Sequence, residues 1–484
     1  MIWAGSDTGL IHVTRDGGKS WKDVIPPGLS DWSAISLIEA SHYDPAVAYA
    51  AVDRSRLDDQ SPHLYRTRDY GASWQPITEG IATNTFLRAV REDPRSRGLL
   101  FAGTEFGIYV SFDDGDHWQA LQLNLPVTSV RDLTIHGDDL VIATHGRSFW
   151  ILDNITPLRQ ASEVVKAAKN VWLFHPATAI RVDNDTFVGT PLPPEEPTTA
   201  NPPAGAMIDY FLKSPVGSVT LEIFDAQHKL VRRVSSEDKN GGKRPPLPVA
   251  ERWFPKPEVP EKTPGMHRFV WNLAWVGAGG PVTDEEAEFR NPSGPKVIPG
   301  TYDVRLTVDG QSQDQSLEVR MDPRSPATSE ILAQQFQLAQ QIFDEALQAR
   351  RTLAEIHSVR KKLTDTQKAP TESNSALKSA LAEAQSSLAK ILTNKENQQA
   401  LGLEDAYKNL ASALRVVEGG DRAAPSQAVA VYKQANEQIT ARLNEWTAFK
   451  ETKLPNLNQQ LRQANLSPIT MADIEGEFDY LMSQ

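Results

Sequence analysis

Hydrophobic and polar positions follow two periods along this chain, and the change between them marks its organisation. Up to about residue 155 the apolar residues come in short runs broken by glycine and aspartate turns. Leu99-Leu-Phe-Ala-Gly103 and Gly107-Ile-Tyr-Val110 are one such pair and read as strands. Strand composition resumes at Met207-Ile-Asp-Tyr-Phe-Leu212, Ser218-Val-Thr-Leu-Glu-Ile-Phe224, His267 to Trp275 and Thr301 to Val308. From Ser325 onward the period becomes helical. Leu332, Phe336, Ala339, Phe343, Ala346, Leu353, Ile356 and Leu363 form one stripe. Leu377 to Ile391, Tyr407 to Val417 and Tyr432 to Phe449 form three more, and antiparallel packing would bury all four. Ser325 followed by Pro326 predicts the first helix start. The pattern therefore predicts a multidomain, mainly β chain: strands over 1–160, a proline-rich connector over 161–205, a β-sandwich over 206–321 and a helical bundle over 325–484. The stretch 239–263, rich in proline and charge, reads as a loop.

The first region contains an internal repeat. Thr14-Arg-Asp16-Gly-Gly18-Lys-Ser-Trp21, Thr67-Arg-Asp69-Tyr-Gly71-Ala-Ser-Trp74 and Ser111-Phe-Asp113-Asp-Gly115-Asp-His-Trp118 all fit [S/T]-x-D-x-G-x-x-W. Ser148-Phe-Trp-Ile-Leu-Asp153 reads as a worn fourth copy. A pitch of about 40–50 residues suits one four-stranded propeller blade per repeat. The Asp can accept bonds from the turn's own N–H groups, the Gly supplies positive φ, and the Trp packs between blades. The implied order within a blade is strand B, a short turn, strand C, the aspartate turn and strand D.

These residues, together with Gly103 to Trp118, Val130-Arg-Asp-Leu133 and Ala143-Thr-His-Gly-Arg-Ser-Phe-Trp-Ile-Leu-Asp153, resemble the large bacterial BNR/Asp-box proteins, often labelled sortilin-like or glycosyl hydrolase-like. The resemblance covers nearly the whole chain. It implies a partial Asp-box β-propeller of about four blades, and extracellular or periplasmic export. It also implies a longer N-terminal propeller portion than is found here. Pro299-Gly-Thr-Tyr302 before an alternating strand resembles the immunoglobulin-like modules of flagellar hook-capping proteins. An arc of four blades leaves strand edges and tryptophans such as Trp21 open, so either a missing N-terminal portion or a second copy is expected to cover them.

Charge and composition then narrow the function. A formal net charge of −12 leaves no basic surplus for nucleic acid. The absence of cysteine excludes disulfides and thiolate metal sites. No apolar run reaches the 18 residues of a membrane span, and Met1 to Gly5 reads as a strand with no signal peptide. No histidine pair has zinc spacing, and neither a phosphate-binding loop nor a nucleophile elbow occurs, so no metal and no cofactor are expected.

The candidate chemistry lies in the B–C turns, on the face where propeller ligands usually bind. These turns carry Asp7, Glu105, and His145 with Arg147. An insertion in the second blade adds Arg54, Arg56, Asp58 and Asp59. Asp7 and Glu105 could serve as paired carboxylates across a glycosidic bond; the turn around Asp7 resembles that holding a catalytic Asp in propeller xyloglucanases. Alternatively, acidic residues before glycine simply favour turns. Sialidase-type chemistry would have only Arg54, Arg56 and Arg147 to draw on. Arg147 is expected to pair with Asp132 or Asp138 and lock the last blade, and His145 with Arg147 could instead contact ligand. Trp271 and Trp275, four apart in a presumed strand, should share one face as core or as a sugar platform. Asp16, Trp21, Asp69, Trp74, Asp113 and Trp118 are assigned to structure. The expectation is a binding or scaffold protein whose propeller face takes a glycan or protein, with a propeller-type glycoside hydrolase as the alternative.

Overall fold

The structure is a computed structural model that describes residues 1–167, 169–182, 201–238, 259–275, 294–367, 375–393 and 401–470. Most of the proline-rich stretch 190–203 and of the insert 239–263 lies outside the described residues. The chain divides into two compact units, Met1–Ala177 and Thr178–Gln484. No helix among the described residues is long and apolar enough to cross a membrane.

The first unit is a succession of four antiparallel sheets, a β-propeller-like arrangement. The first contains β1 (Ile2–Gly5), β2 (Ile11–Thr14) and β3 (Lys22–Asp23). The second contains β4 (Ala34–Ala40), β5 (Ala48–Asp53), β6 (His63–Thr67) and β7 (Gln75–Pro76). The third runs β8 (Leu87–Glu92), β9 (Leu100–Thr104), β10 (Ile108–Ser111) and β11 (Gln119–Ala120). The fourth has β12 (Val130–His136), β13 (Asp139–Thr144) and β14 (Phe149–Leu152). Each strand pairs with the next in sequence, the order of a propeller blade. Helix α1 (Thr156–Ala167) and the short strand β15 (Val171–Leu173) follow.

Apolar residues on facing sheets fuse consecutive blades. Ile11, Val13 and Val24 pack with Ile35, Ala50 and Val52 between the first and second. Tyr49, Leu64 and Ile77 pack with Leu87, Leu100 and Trp118 between the second and third. Phe101, Ile108 and Val110 pack with Leu133, Leu140 and Ile142 between the third and fourth.

Each aspartate turn closes on itself, and those of the second and third blades then dock on the blade before them. In the third blade Asp113 Oδ1 accepts from Ser111 Oγ at 2.8 Å and from the His117 N–H at 2.9 Å. Asp69 does the same with Thr67 and Ser73, and Asp16 with Thr14 and Ser20. The hydroxyls of Ser20 and Ser73 hold Asp16 and Asp69 below the usual carboxylate range. At Asp113 burial pushes upward, but the bonds from His117 and Ser111 outweigh it and the carboxyl again lies low. Trp74 Nε1 donates to Val24 O at 2.6 Å, and Trp118 Nε1 to Ile77 O at 2.9 Å, so each ring clasps the exit of the previous blade's last strand. Gly71 and Gly115, both at positive φ, lie so close behind that a Cβ would sit 2.6 Å from Val24 Cβ and from Ile77 Cδ1 respectively. In the first blade the equivalent Trp21 is 46% exposed.

The fourth blade differs. Its β13–β14 register pairs Ala143 with Phe149, where the third blade pairs Gly103 with Ile108, so Leu152 occupies the place of Ser111 and Asn154 that of Asp113. Asn154 Oδ1 accepts from the N–H of Thr156, the first residue of α1, at 3.2 Å instead of closing an aspartate turn.

In the second unit β17 (Ala206–Leu212) pairs antiparallel with β20 (Gly265–Trp271). A five-stranded sheet contains β16 (Ala179–Arg181), β22 (Gln311–Met321), β21 (Gly300–Val308), β18 (Val219–Phe224) and β19 (Leu230–Ser235), in that order. β16 lies parallel to β22, Ala179 opposite Val319. Trp271 is buried edge-on against Tyr302, at 5.5 Å between ring centroids. Trp275 does not share its strand. Leu273 takes a positive φ just beyond β20, and Trp275 sits 6.2 Å from Phe336.

The helical part contains α2 (Ser329–Gln367), α3 (Ser375–Thr393), α4 (Leu403–Val417), α5 (Ser426–Ala448) and α6 (Leu454–Gln463). One continuous core joins them, with Phe343, Leu381, Leu410 and Trp446 among its members. The first of these helices starts later than Ser325-Pro326 predicts. Ser325 closes a turn on Asp322, and Thr328 supplies the first carbonyl of α2, to Leu332 N. A buried ion pair, Arg181 to Asp421 at 3.0 Å, ties the sheet to the end of α4, and Lys296 N donates to Glu418 Oε2 at 2.8 Å beside it.

Candidate functional site at the turn rim

Backbone bonds tie the B–C turns of three blades to a segment that leads into a blade's first strand, the next blade's for the first turn and their own for the third and fourth, and these turns form the rim. In the first blade Trp32 N donates to Thr8 O, and Ile35 N to Ser6 O, both at 2.9 Å. In the third, Glu105 N donates to Phe86 O, and His145 N of the fourth donates to Ser129 O at 2.8 Å. These turns are thus held by backbone bonds, and Asp7, Phe106, His145 and Arg147 on them are exposed.

Arg88 organises the centre of the rim. It lies on β8, where only it and Arg91 are not buried, with its side chain 18% exposed. Its Nη1 pairs with Asp53 at the end of β5. Its Nε and Nη2 reach Glu105 Oε2 at 3.3 and 3.1 Å. Ser129 Oγ donates to the same Glu105 oxygen at 2.7 Å. Three blades therefore meet on one guanidinium–carboxylate network. Neither Arg88 nor Ser129 was singled out by motif. The signal available in Leu87-Arg-Ala-Val-Arg-Glu92 is a pair of arginines inside an apolar strand, since a buried arginine requires acidic partners. Arg91, the other of the two, pairs with Glu39 and Asp132 at 2.9 Å.

The second-blade insertion makes a neighbouring cluster. Arg54 Nε lies 3.0 Å from Asp59 Oδ2, and His63 Nε2 lies 2.8 Å from the same oxygen. Burial pushes the Asp59 carboxyl upward, but the Ser61 N–H and the His63 ring outweigh it and bring it down to about 2. Arg56 and Asp58 are exposed and stand outside this cluster; Asp58 ends a short 3-10 turn at φ 58°.

Asp7 and Glu105 stand on the turns of two different blades, the first and the third. Asp7 is exposed on the first-blade turn, and its carboxylate has no hydrogen bond or ion pair among the described residues. Glu105 is on the third-blade turn, with the second blade between them in blade order. Glu105 has one oxygen already engaged by Arg88 and Ser129. His145 and Arg147 are both exposed. The expected pairing of Arg147 with Asp132 or Asp138 does not form, because other arginines reach these carboxylates first. Asp132 pairs with Arg91, and Asp138 with Arg95 and Arg159. No group of three or more metal-ligating side chains occurs among the described residues.

No family model matches the chain, and no curated protein matches it. Among solved structures the chain is similar to a GH74 xyloglucanase from Xanthomonas campestris, at 19% identity and a TM-score of 0.25 over 32% of this chain and 25% of that one. It is similar to YCF48 bound to D1 peptide, at 14% identity and a TM-score of 0.26 over 48% of this chain and 64% of that one. It is also similar to a GH74 enzyme from Niastella koreensis, at 11% identity and a TM-score of 0.26 over 37% and 29%. The chain thus spans less than two thirds of each of these proteins.

Proposed function

We propose that the chain is a non-catalytic binding protein of the BNR/Asp-box type that works outside the cytoplasm and takes a glycan or protein ligand on its turn rim. The two sheets of the second unit, read as an immunoglobulin-like sandwich, and the helices serve as its scaffold. The observation that carries this reading is the Asp53–Arg88–Glu105–Ser129 network. It fixes the shape of the rim and leaves exposed side chains, Asp7, Arg56, His145 and Arg147 among them, around it. A pre-shaped rim favours binding because little freedom is lost when the ligand arrives.

Glycan-array and peptide binding on the whole chain tests the reading. Arg88→Gln should weaken rim binding by about tenfold or more, because Asp53 and Glu105 lose the guanidinium that holds the turns in their binding shape. Steady hydrolysis of any bound oligosaccharide would sink the proposal. One observation favours a glycosidase as the second reading: the Asp7 carboxylate is open. Under it, Asp7→Asn abolishes turnover and leaves the melting temperature unchanged.

A further inference from the structure

Beside the Arg88 network the rim turns apolar. Phe106 follows Glu105 in the third-blade turn and is 46% exposed. Leu123 and Val127, on the loop between the third and fourth blades, are 69% and 71% exposed. Gln122 binds this loop into one body with the turn. Its Nε2 donates to Leu125 O at 2.6 Å and to Pro126 O at 3.2 Å. Its Oε1 packs so closely on Gly107 that a Cβ there would collide with it. Leu123 is held at φ 42°, a conformation a leucine rarely adopts, and still projects into solvent. Glu105 borders the patch with one oxygen to spare: Arg88 and Ser129 both bind Oε2, while Oε1 has no hydrogen bond among the described residues.

We propose that this part of the rim binds a polypeptide, with a bulky apolar side chain seated against Phe106, Leu123 and Val127 and an adjacent Lys or Arg reaching Glu105 Oε1. The proposal rests on the rim-binding reading above and gives it a ligand class. Of the three, only Phe106 offers a flat ring for a sugar to stack on; the branched Leu123 and Val127 side chains, the most exposed of the patch, fit an apolar anchor residue instead. The free carboxylate oxygen complements a cationic neighbour on that anchor.

The probe is a displayed library of random dodecapeptides, selected on the immobilised whole chain. Selected peptides are then measured by fluorescence anisotropy. They should carry a bulky apolar residue next to Lys or Arg. The double variant Leu123→Ser/Val127→Ser should weaken them by about tenfold or more. Both residues are exposed, so its near-UV circular dichroism should match wild type. Glu105→Gln should erase the preference for the cationic neighbour, and Trp32→Ser, at the first-blade loop, should change nothing. Equal affinity for the double variant, or an empty selection, overturns the proposal. Oligosaccharide binding that is lost in the same double variant would also overturn it, by giving the patch to a glycan. Ligands lost with Arg54→Gln or Arg88→Gln but kept by the double variant would sink this inference alone and leave the rim reading standing.

Discussion

The same tryptophan occurs three times in the repeat and meets three different surroundings, which gives a mutational experiment with its own internal control. Trp118 is 3% exposed and donates to Ile77 O at 2.9 Å. A tryptophan side chain buries about 150–250 Å², and at about 25 cal/mol per Å² that amounts to roughly 4–6 kcal/mol. Trp118→Ala also leaves a void between two blades and strips the Ile77 carbonyl of its donor. The expected loss is therefore about 3–5 kcal/mol, the range for large aromatic truncations in cores. Trp21 occupies the equivalent position, is 46% exposed and has no Nε1 partner among the described residues. Halving the burial and removing the hydrogen bond brings Trp21→Ala to about 2 kcal/mol or less. The assay is urea unfolding of the whole chain followed by near-UV circular dichroism, with the transition of the blade unit fitted separately, because a two-unit chain need not unfold in one step. If both variants lose the same stability, the tryptophans contribute within their own turns, and the inter-blade clasp is refuted. If Trp118→Ala is neutral, the burial arithmetic fails too.

Two further outcomes follow from buried charge. Arg181→Met leaves Asp421 buried without its partner and should cost about 3–5 kcal/mol in thermal or denaturant unfolding, with much of that recovered when Asp421→Leu is added; a neutral single variant would refute the lock. Glu92 is raised above the usual carboxylate value by burial, against the opposing bonds from Ser41 and His42. Its contribution to stability is therefore fully present below the unfolded value and is lost as pH rises through the folded one. Glu92→Gln keeps an acceptor for His42 N and removes the charge, so it should stabilise the chain at pH 8 and do little at pH 4; the reverse order in pH-dependent melting would refute the assignment.

The blade architecture was legible because it is local. The spacing of Asp16, Asp69 and Asp113 marks the turns, and the apolar runs before them pair with their sequence neighbours. What the sequence hid depends on partners far along the chain. Arg88 draws its role from Asp53 and Glu105, which lie in other strands and turns, so no motif contains it. The Arg147 pairing failed for the same reason: whether Asp132 is free depends on Arg91, in the preceding blade. Asn154 shows a third limit. The worn repeat reads Asp153 as its aspartate, but the B–C turn of the fourth blade is one residue longer, and that moves Asn154 into the position, where it binds the first residue of a helix. Trp275 was placed on the face of Trp271 by counting in twos, which holds only while the strand continues; the positive φ at Leu273 ends it.

The parallel pairing of Ala179–Arg181 with Val319–Met321 has a consequence for how the chain comes into being on the ribosome. A blade needs only its own few dozen residues before its strands can pair, so the first unit can assemble piece by piece as it emerges. The five-stranded sheet cannot. Its first strand must wait while 140 residues are synthesised before its neighbour exists, Val319 being that far from Ala179. Arg181 must wait longer still for Asp421. At about 5–20 residues per second of synthesis, the early strand stays unpaired for roughly 7–28 seconds. During that interval its free edge is open to wrong partners. Slowing translation should therefore lower the yield of the second unit far more than that of the blades, since only the former has an end that meets its beginning.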